Sequence, residues 1–268
     1  MGRNLAQDEN KPDARSSVRT WYAAAALLLA VVPFALLLAL VQARWAPLRE
    51  ADLDAASDLN GYAVTHSAFV TAMRTLSTIG SYRIWVPVLS AVAVWLFWRR
   101  QPRLALFVAV TAIGSSLINN LVKSMVDRGR PILQRPVSVA HGFSFPSGHA
   151  QAAVVGYGIL LVIFLPMLHR AVRVVAVCGA VLMIAAIGFS RIALGVHYLS
   201  DVLAGYLLGA AWLAAMVAVG STSAWSCSRH RASARYGSFL PSVRRGAKRR
   251  CSGSRSEGRR RSRSSRPS

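Results

Sequence analysis

Two imidazoles and a carboxylate are the residues of this chain best suited to making and breaking bonds. His197 and Asp201 stand four residues apart in SRIALGVHYLSD (190–201), and His149 closes PSGH (146–149). If a helix starts around Val196, His197 and Asp201 share one face, and the carboxylate can accept a hydrogen bond from one ring nitrogen. That fixes the tautomer and frees the other nitrogen to act as a nucleophile or, failing that, a general base. His149 is then available as a second imidazole, giving a proton to a leaving oxygen and later taking one from water. Such a set needs no metal and no cofactor.

Cations accompany these groups. Lys123 and Arg130 lie in KSMVDRGRP (123–131), and Arg191 lies beside Ser190. Arginine presents a planar fork to oxyanions and lysine adds a point charge, so two Arg and one Lys suit a tetrahedral oxyanion, with phosphate the natural guess. Pro146 suits a helix start, Ser147 a cap, and Gly148 lets a backbone come close. The free N–H groups at that start would face the same ion.

The elements that must position these residues are apolar. Of 268 residues 54% are apolar and 16% charged, and the mean hydropathy is +0.39. These values favour a membrane protein over a soluble one. Six stretches are long enough to cross a bilayer, near 20–42, 83–98, 104–123, 149–168, 172–190 and 198–219, each to be compared with the ~20 residues a spanning helix needs. The second is the shortest. Basic residues precede the first span (Arg3, Lys11, Arg15, Arg19), lie between spans two and three (Arg99, Arg100, Arg103) and four and five (Arg170, Arg173), and follow the sixth. The excess of Lys and Arg on cytoplasmic connections predicts cytoplasmic termini, with 43–82, 124–148 and 191–197 outside. All three chemical segments then share the outer side. Their cations meet few acids there, so the expected partner is an anion from outside.

Trp21, Trp45, Trp85, Trp95 and Trp98 lie near predicted span ends, as interfacial indoles do. Phe69, Met73, Leu76 and Ile79 recur at helical spacing, which fits either a helix on the outer surface or a packed connector. The three cysteines give no disulfide framework, and Cys178 reads as a small packed hydrophobe. The +22 formal charge is uneven: fourteen Lys or Arg against Glu257 after Gly220 give the tail a net +13. The domains expected are a cytoplasmic segment (1–19), a membrane domain (20–219) and a basic disordered tail (220–268). The tail could be drawn to anionic membrane lipids, and no specific nucleic acid is expected.

The three segments resemble the signature of the type 2 phosphatidic acid phosphatase superfamily. That pattern is Lys, six residues, Arg-Pro; then Pro-Ser-Gly-His; then Ser-Arg, five residues, His, three residues, Asp. Lys123, Arg130 and Pro131, Pro146 to His149, and Ser190, Arg191, His197 and Asp201 match it without a substitution. The resemblance implies an all-α, integral membrane six-helix bundle, the core shared with vanadium haloperoxidases, over roughly residues 20–219. It implies a multi-pass cell-membrane protein that dephosphorylates a lipid phosphate or diphosphate without a metal, such as undecaprenyl diphosphate, phosphatidic acid or phosphatidylglycerol phosphate. His197 would be the nucleophile forming a phosphohistidine, Asp201 its orienting partner and His149 acid then base. Lys123, Arg130, Ser147, Gly148 and Arg191 would bind phosphate, with Ser190 joining through its hydroxyl.

Blander readings compete. His197 and Asp201 could be a buried pair tying two helices together, and Asn119 and Asn120 helix-to-helix glue. Asp127 and Arg128 read as paired with each other or facing water. Asn60 and His66 could approach a headgroup or be structural. The competing function is a transporter or channel for an anionic solute, which would place polar residues deep in several spans.

Overall fold

The structure is a computed structural model that describes residues 14–220 apart from residue 134. The expectations for the first thirteen residues and for the tail after Gly220 lie outside the described residues. The chain divides into units Met1–Trp225 and Ser226–Ser268, and every helix below belongs to the first. The described residues form eight α-helices and no strand: α1 (Ala14–Gln42), α2 (Ala46–Thr65), α3 (Ser67–Ile79), α4 (Tyr82–Trp98), α5 (Pro102–Val126), α6 (Gly148–Phe164), α7 (Arg170–Ala193) and α8 (Leu199–Gly220). A 3-10 turn, Leu165–Met167, extends α6.

The span count is compatible with the expected six. Five runs are long and apolar enough to cross a bilayer, and a sixth appears only if Leu27–Gln42 and Ala46–Thr65, which meet at 91°, count as one. The run at residues 83–98 looked short because its helix continues backwards: Ser67–Trp98 forms one 32-residue apolar run. The connector helix α3 is therefore a packed element. Val70 and Met73 are buried with Ala193, Leu194 and Val196 at the end of α7.

Helix α6 is the centre of the bundle, packing on α4, α5, α7 and α8. Ala150, Ala153 and Ile159 have no exposed surface, as expected of a helix apolar on every side. Helix α7 keeps one face outward: Val174, Val175, Val181 and Leu182 are exposed while Ala180 and Ile187 are buried. The exposed apolar face suits hydrocarbon. Cys178, expected inside, also lies exposed on α7. Trp85, expected at an interface, is buried in the cluster of Leu89, Phe107, Val155 and Ile159. Its ring fills the space over Gly156, where a Cβ would come within 2.4 Å of it.

Helices α6 and α8 approach closely through small residues. A Cβ on Gly205 would stand 2.5 Å from the carbonyl oxygen of Ser147, and one on Gly209 would meet Val154 at 3.0 Å. The Gly-x-x-x-Gly spacing lets two backbones meet, as in tightly packed membrane helices. It seats the start of α6 directly against the first turns of α8.

Candidate active site

The ends of α5 and α7 and the starts of α6 and α8 fall at one end of the bundle, so the three sequence segments converge there. Helix α7 closes in a tight turn: Leu194 N–H donates to Ser190 O at 3.0 Å, Gly195 N–H to Ile192 O at 2.8 Å, and Val196 N–H to Arg191 O at 3.2 Å. Gly195 takes φ +69°, a conformation costly for a residue with a Cβ. The turn delivers His197 into the protein with 2% exposure.

Helix α8 begins at Leu199, later than expected, so His197 stands just before it and Asp201 in its first turn. The pair is still in contact, His197 Nδ1 lying 3.5 Å from Asp201 Oδ2. The same oxygen accepts the Tyr198 N–H at 2.9 Å, the acidic half of a capping box, and also the Ser144 hydroxyl. Asp201 Oδ1 accepts from Arg128 Nη1 at 2.7 Å. Asp201 is thus fixed from four sides.

His197 Nε2 faces Arg130, whose Nη1 is 3.3 Å away. A guanidinium only donates, so Nε2 must carry the lone pair and Nδ1 the proton. Burial pulls the His197 ring down to about 4, against the opposing pull of Asp201, so the ring is neutral at pH 7. The tautomer required of a nucleophile is the one that the surroundings select.

The cations are held by dipoles. Arg130 Nε donates to Gly142 O at 2.9 Å, Nη1 to Val196 O at 2.7 Å, and Nη2 to His141 O at 3.2 Å and Phe143 O at 3.3 Å. Lys123 Nζ, in the last turn of α5, donates to the same Phe143 carbonyl at 3.3 Å. Arg191 donates through Nη1 to the Ser77 hydroxyl of α3, while its buried Nε has no partner among the described residues. None of the three forms an ion pair with a carboxylate among the described residues. Asp201 acts on Lys123 and Arg130 only through space.

Ser147 occupies the N-cap position of α6 but makes no capping bond, contrary to expectation. Its buried hydroxyl has no partner among the described residues, while its N–H donates to Asp201 O at 2.9 Å. The first N–H groups of α6 have no acceptor within the helix. Gly148 faces Asn119, whose Oδ1 would lie 3.3 Å from a Cβ. His149 stands beside His197 in the field of Arg191, Lys123 and Arg130. Ser190 is near in sequence but engaged elsewhere: its hydroxyl donates to Ile187 O at 2.6 Å, inside its own helix. Hydrogen-bond donors from four segments therefore gather near the imidazole of His197, whose Nε2 faces Arg130.

Asp52, Ser200, Gln151 and Ser115 were not singled out by the sequence, and several residues read as bland take definite places. Arg128 neither faces water nor pairs with Asp127; its Nη2 reaches Asp52 Oδ2 at 2.8 Å and its Nη1 reaches both Asp201 and Ser200 Oγ at 2.7 Å. Asp52 on α2 also accepts the Ser200 N–H at 2.8 Å. Gln151 accepts from Asn119 Nδ2 at 2.6 Å and donates to Ser115 at 2.9 Å, so Asn119 joins α5 to α6 as expected. Asn120 does not; it lines a cavity of about 630 Å³ between α4, α5 and α6, together with Lys123, Gly148 and His149. His66 is exposed and stacked on Tyr62, whereas Asn60 is buried on α2.

Comparison with known proteins identifies the family. The family model of the PAP2 superfamily matches residues 104–225. Phosphatidylglycerophosphatase B of Bacillus subtilis (strain 168) is 30% identical over 140 residues, 51% of this chain and 68% of that protein. Undecaprenyl-diphosphatase of Sulfolobus acidocaldarius is 27% identical over 143 residues, 52% and 64% of the two chains. The crystal structure of a transmembrane PAP2 type phosphatidylglycerolphosphate phosphatase from Bacillus subtilis superposes with a TM-score of 0.66, at 23% identity over 74% of this chain and 96% of that one. With its apolar helices, its three converging segments and these relatives, the chain is a multi-pass membrane protein that belongs to the PAP2 superfamily.

Proposed function

We propose that this protein is a metal-independent phosphohydrolase that releases phosphate from a lipid phosphate or diphosphate through a phosphohistidine on His197. One observation carries the reading: Arg130 stands 3.3 Å from Nε2 of His197 and Arg191 acts on the same ring, while Lys123 and His149 line the adjoining apolar cavity, and none of the three cations forms an ion pair with a carboxylate among the described residues. Cations lacking a counter-charge call for an anion, and the adjoining hydrocarbon-lined space calls for an apolar tail.

The proposed reaction follows from the placement. Lys123, Arg130 and Arg191, with the Ser147 hydroxyl and the N–H groups that start α6, bind the phosphoryl oxygens and offset their charge. His197 Nε2 forms a bond to phosphorus as the bond to the leaving oxygen breaks, and His149 gives that oxygen a proton. Asp201 stabilises the positive charge that develops on the His197 ring. His149 then takes a proton from water, the water oxygen bonds to phosphorus, and the N–P bond breaks to release phosphate. Basic connections at the opposite end of the bundle support an extracytoplasmic site with both termini cytoplasmic.

The names of the relatives support both acyl and polyprenyl substrates. Purified protein should release phosphate from phosphatidylglycerol phosphate, phosphatidic acid or undecaprenyl diphosphate in excess chelator, with inhibition by vanadate. Rapid quenching with a ³²P-labelled substrate should trap acid-labile label on wild-type protein and none on His197→Ala. Loss of turnover on chelation, or anion flux into vesicles with no phosphate release, would overturn the proposal.

A further inference from the structure

We infer that Asn120 and Ser116 of α5 form a hydrogen-bonding step that reads the acyl-ester region of a glycerolipid phosphate and so sets substrate class. The inference rests on the lipid-phosphatase reading above and goes beyond it. The wall of the cavity changes character with depth. Lys123, His149 and Gly148 line its upper end, and Ile113, Ala109 and Val108 line its lower reach. Between them on the same helix, three and seven residues below Lys123, stand Asn120 and Ser116. At helical rise these positions are ~4.5 and ~10 Å beneath the ammonium-bearing residue.

Both side chains are exposed to the cavity, and neither makes a hydrogen bond to a described residue. The neighbouring Asn119 shows what a structural amide here looks like: it is buried and donates to Gln151. An amide and a hydroxyl left without protein partners at membrane depth carry a cost, which marks them for a polar group that arrives from elsewhere. Their N–H and O–H groups can donate to carbonyl oxygens.

The substrate classes differ at this depth. In a diacylglycerol phosphate, the glycerol carbons and then two ester groups follow the phosphate before the hydrocarbon begins. In a polyprenyl phosphate, the hydrocarbon begins at the first carbon, which leaves no acceptor opposite Asn120. The order cation, hydrogen-bond donor, apolar wall fits the first class.

The test compares dioleoyl phosphatidic acid, its dialkyl ether analogue, which lacks both carbonyls, and farnesyl diphosphate in the same detergent. Wild-type protein should show kcat/KM about 10-fold higher on the ester than on the ether. Asn120→Leu should remove most of that preference by lowering ester turnover, with the ether and farnesyl substrates unchanged and Asn120→Gln retaining part of the preference. A purely structural role would lower all three together. Equal wild-type turnover of ester and ether overturns the inference without any variant and leaves the phosphatase reading intact. No phosphate release from any of the three overturns both.

Discussion

Arg128 and Arg130 stand two residues apart in one loop and meet opposite surroundings. Arg128 lies between two buried carboxylates, Asp52 and Asp201, with its guanidinium 4.2 Å over the Tyr198 ring. Arg130 has no carboxylate among the described residues and is held by the carbonyls of 141–143 and Val196. Carbonyl dipoles can aim a guanidinium without cancelling its charge. A carboxylate both aims it and neutralises it. Arg128 is therefore paired within the protein and serves as framework, whereas Arg130 keeps its charge without a carboxylate ion pair among the described residues.

Three perturbations test this division. The largest effect should come from the paired arginine: Arg128→Gln leaves Asp52 and Asp201 buried without their cation, at a cost of about 3–5 kcal/mol. The thermal midpoint in detergent should fall markedly, and an unchanged midpoint would show that Arg128 is no framework. Next, Arg130→Gln should leave the midpoint nearly unchanged while lowering kcat/KM by about 10²–10³-fold, as for removal of a donor to developing charge. If the two variants behaved alike, the contrast between the two arginines would be lost. The smallest effect concerns pH. Because the His197 ring is held down to about 4, the free enzyme keeps an unprotonated nucleophile from pH 7 to about 5. Activity should fall as pH drops through that lower value. The measurement is kcat/KM against pH after correction for ionisation of the substrate phosphate, and an acid limb near 6.5 would mean that His197 is not the titrating nucleophile.

What the sequence made legible was the part of the site written in local spacing. Lys123, Ser147, Gly148, His149, Arg191, His197 and Asp201 each sit at or beside a helix end, Arg130 follows in the loop after α5, and alternating spans bring those ends to one level. The rest depends on how distant segments fold back. Asp52 is one acid among several in ADLDAASD, and only the 91° turn between α1 and α2 brings it to Arg128 and Ser200. Ser144 reaches Asp201 because the loop after α5 returns across the bundle. Ser190 matched its motif position, yet a hydroxyl on a helix can always bond to its own preceding turn, and here it does. Trp85 reads as interfacial until Gly156 is seen to leave room for its ring. Helix α3 was legible only as two alternatives, a surface helix or a packed connector, because the spacing of Phe69, Met73, Leu76 and Ile79 does not say what covers them.

The contact of Gly205 with the Ser147 carbonyl, together with the Ser147 N–H to Asp201 bond, joins the start of α6 to the helix that carries Asp201. The segments that carry His149 and His197 therefore meet through backbone atoms, where no exchange of a side chain removes the hydrogen bond. Under the proposed phosphatase reading, side chains exchanged on the α4 face of the cavity would change the fit of a substrate's apolar part and leave that backbone seam in place, because α4 takes no part in it.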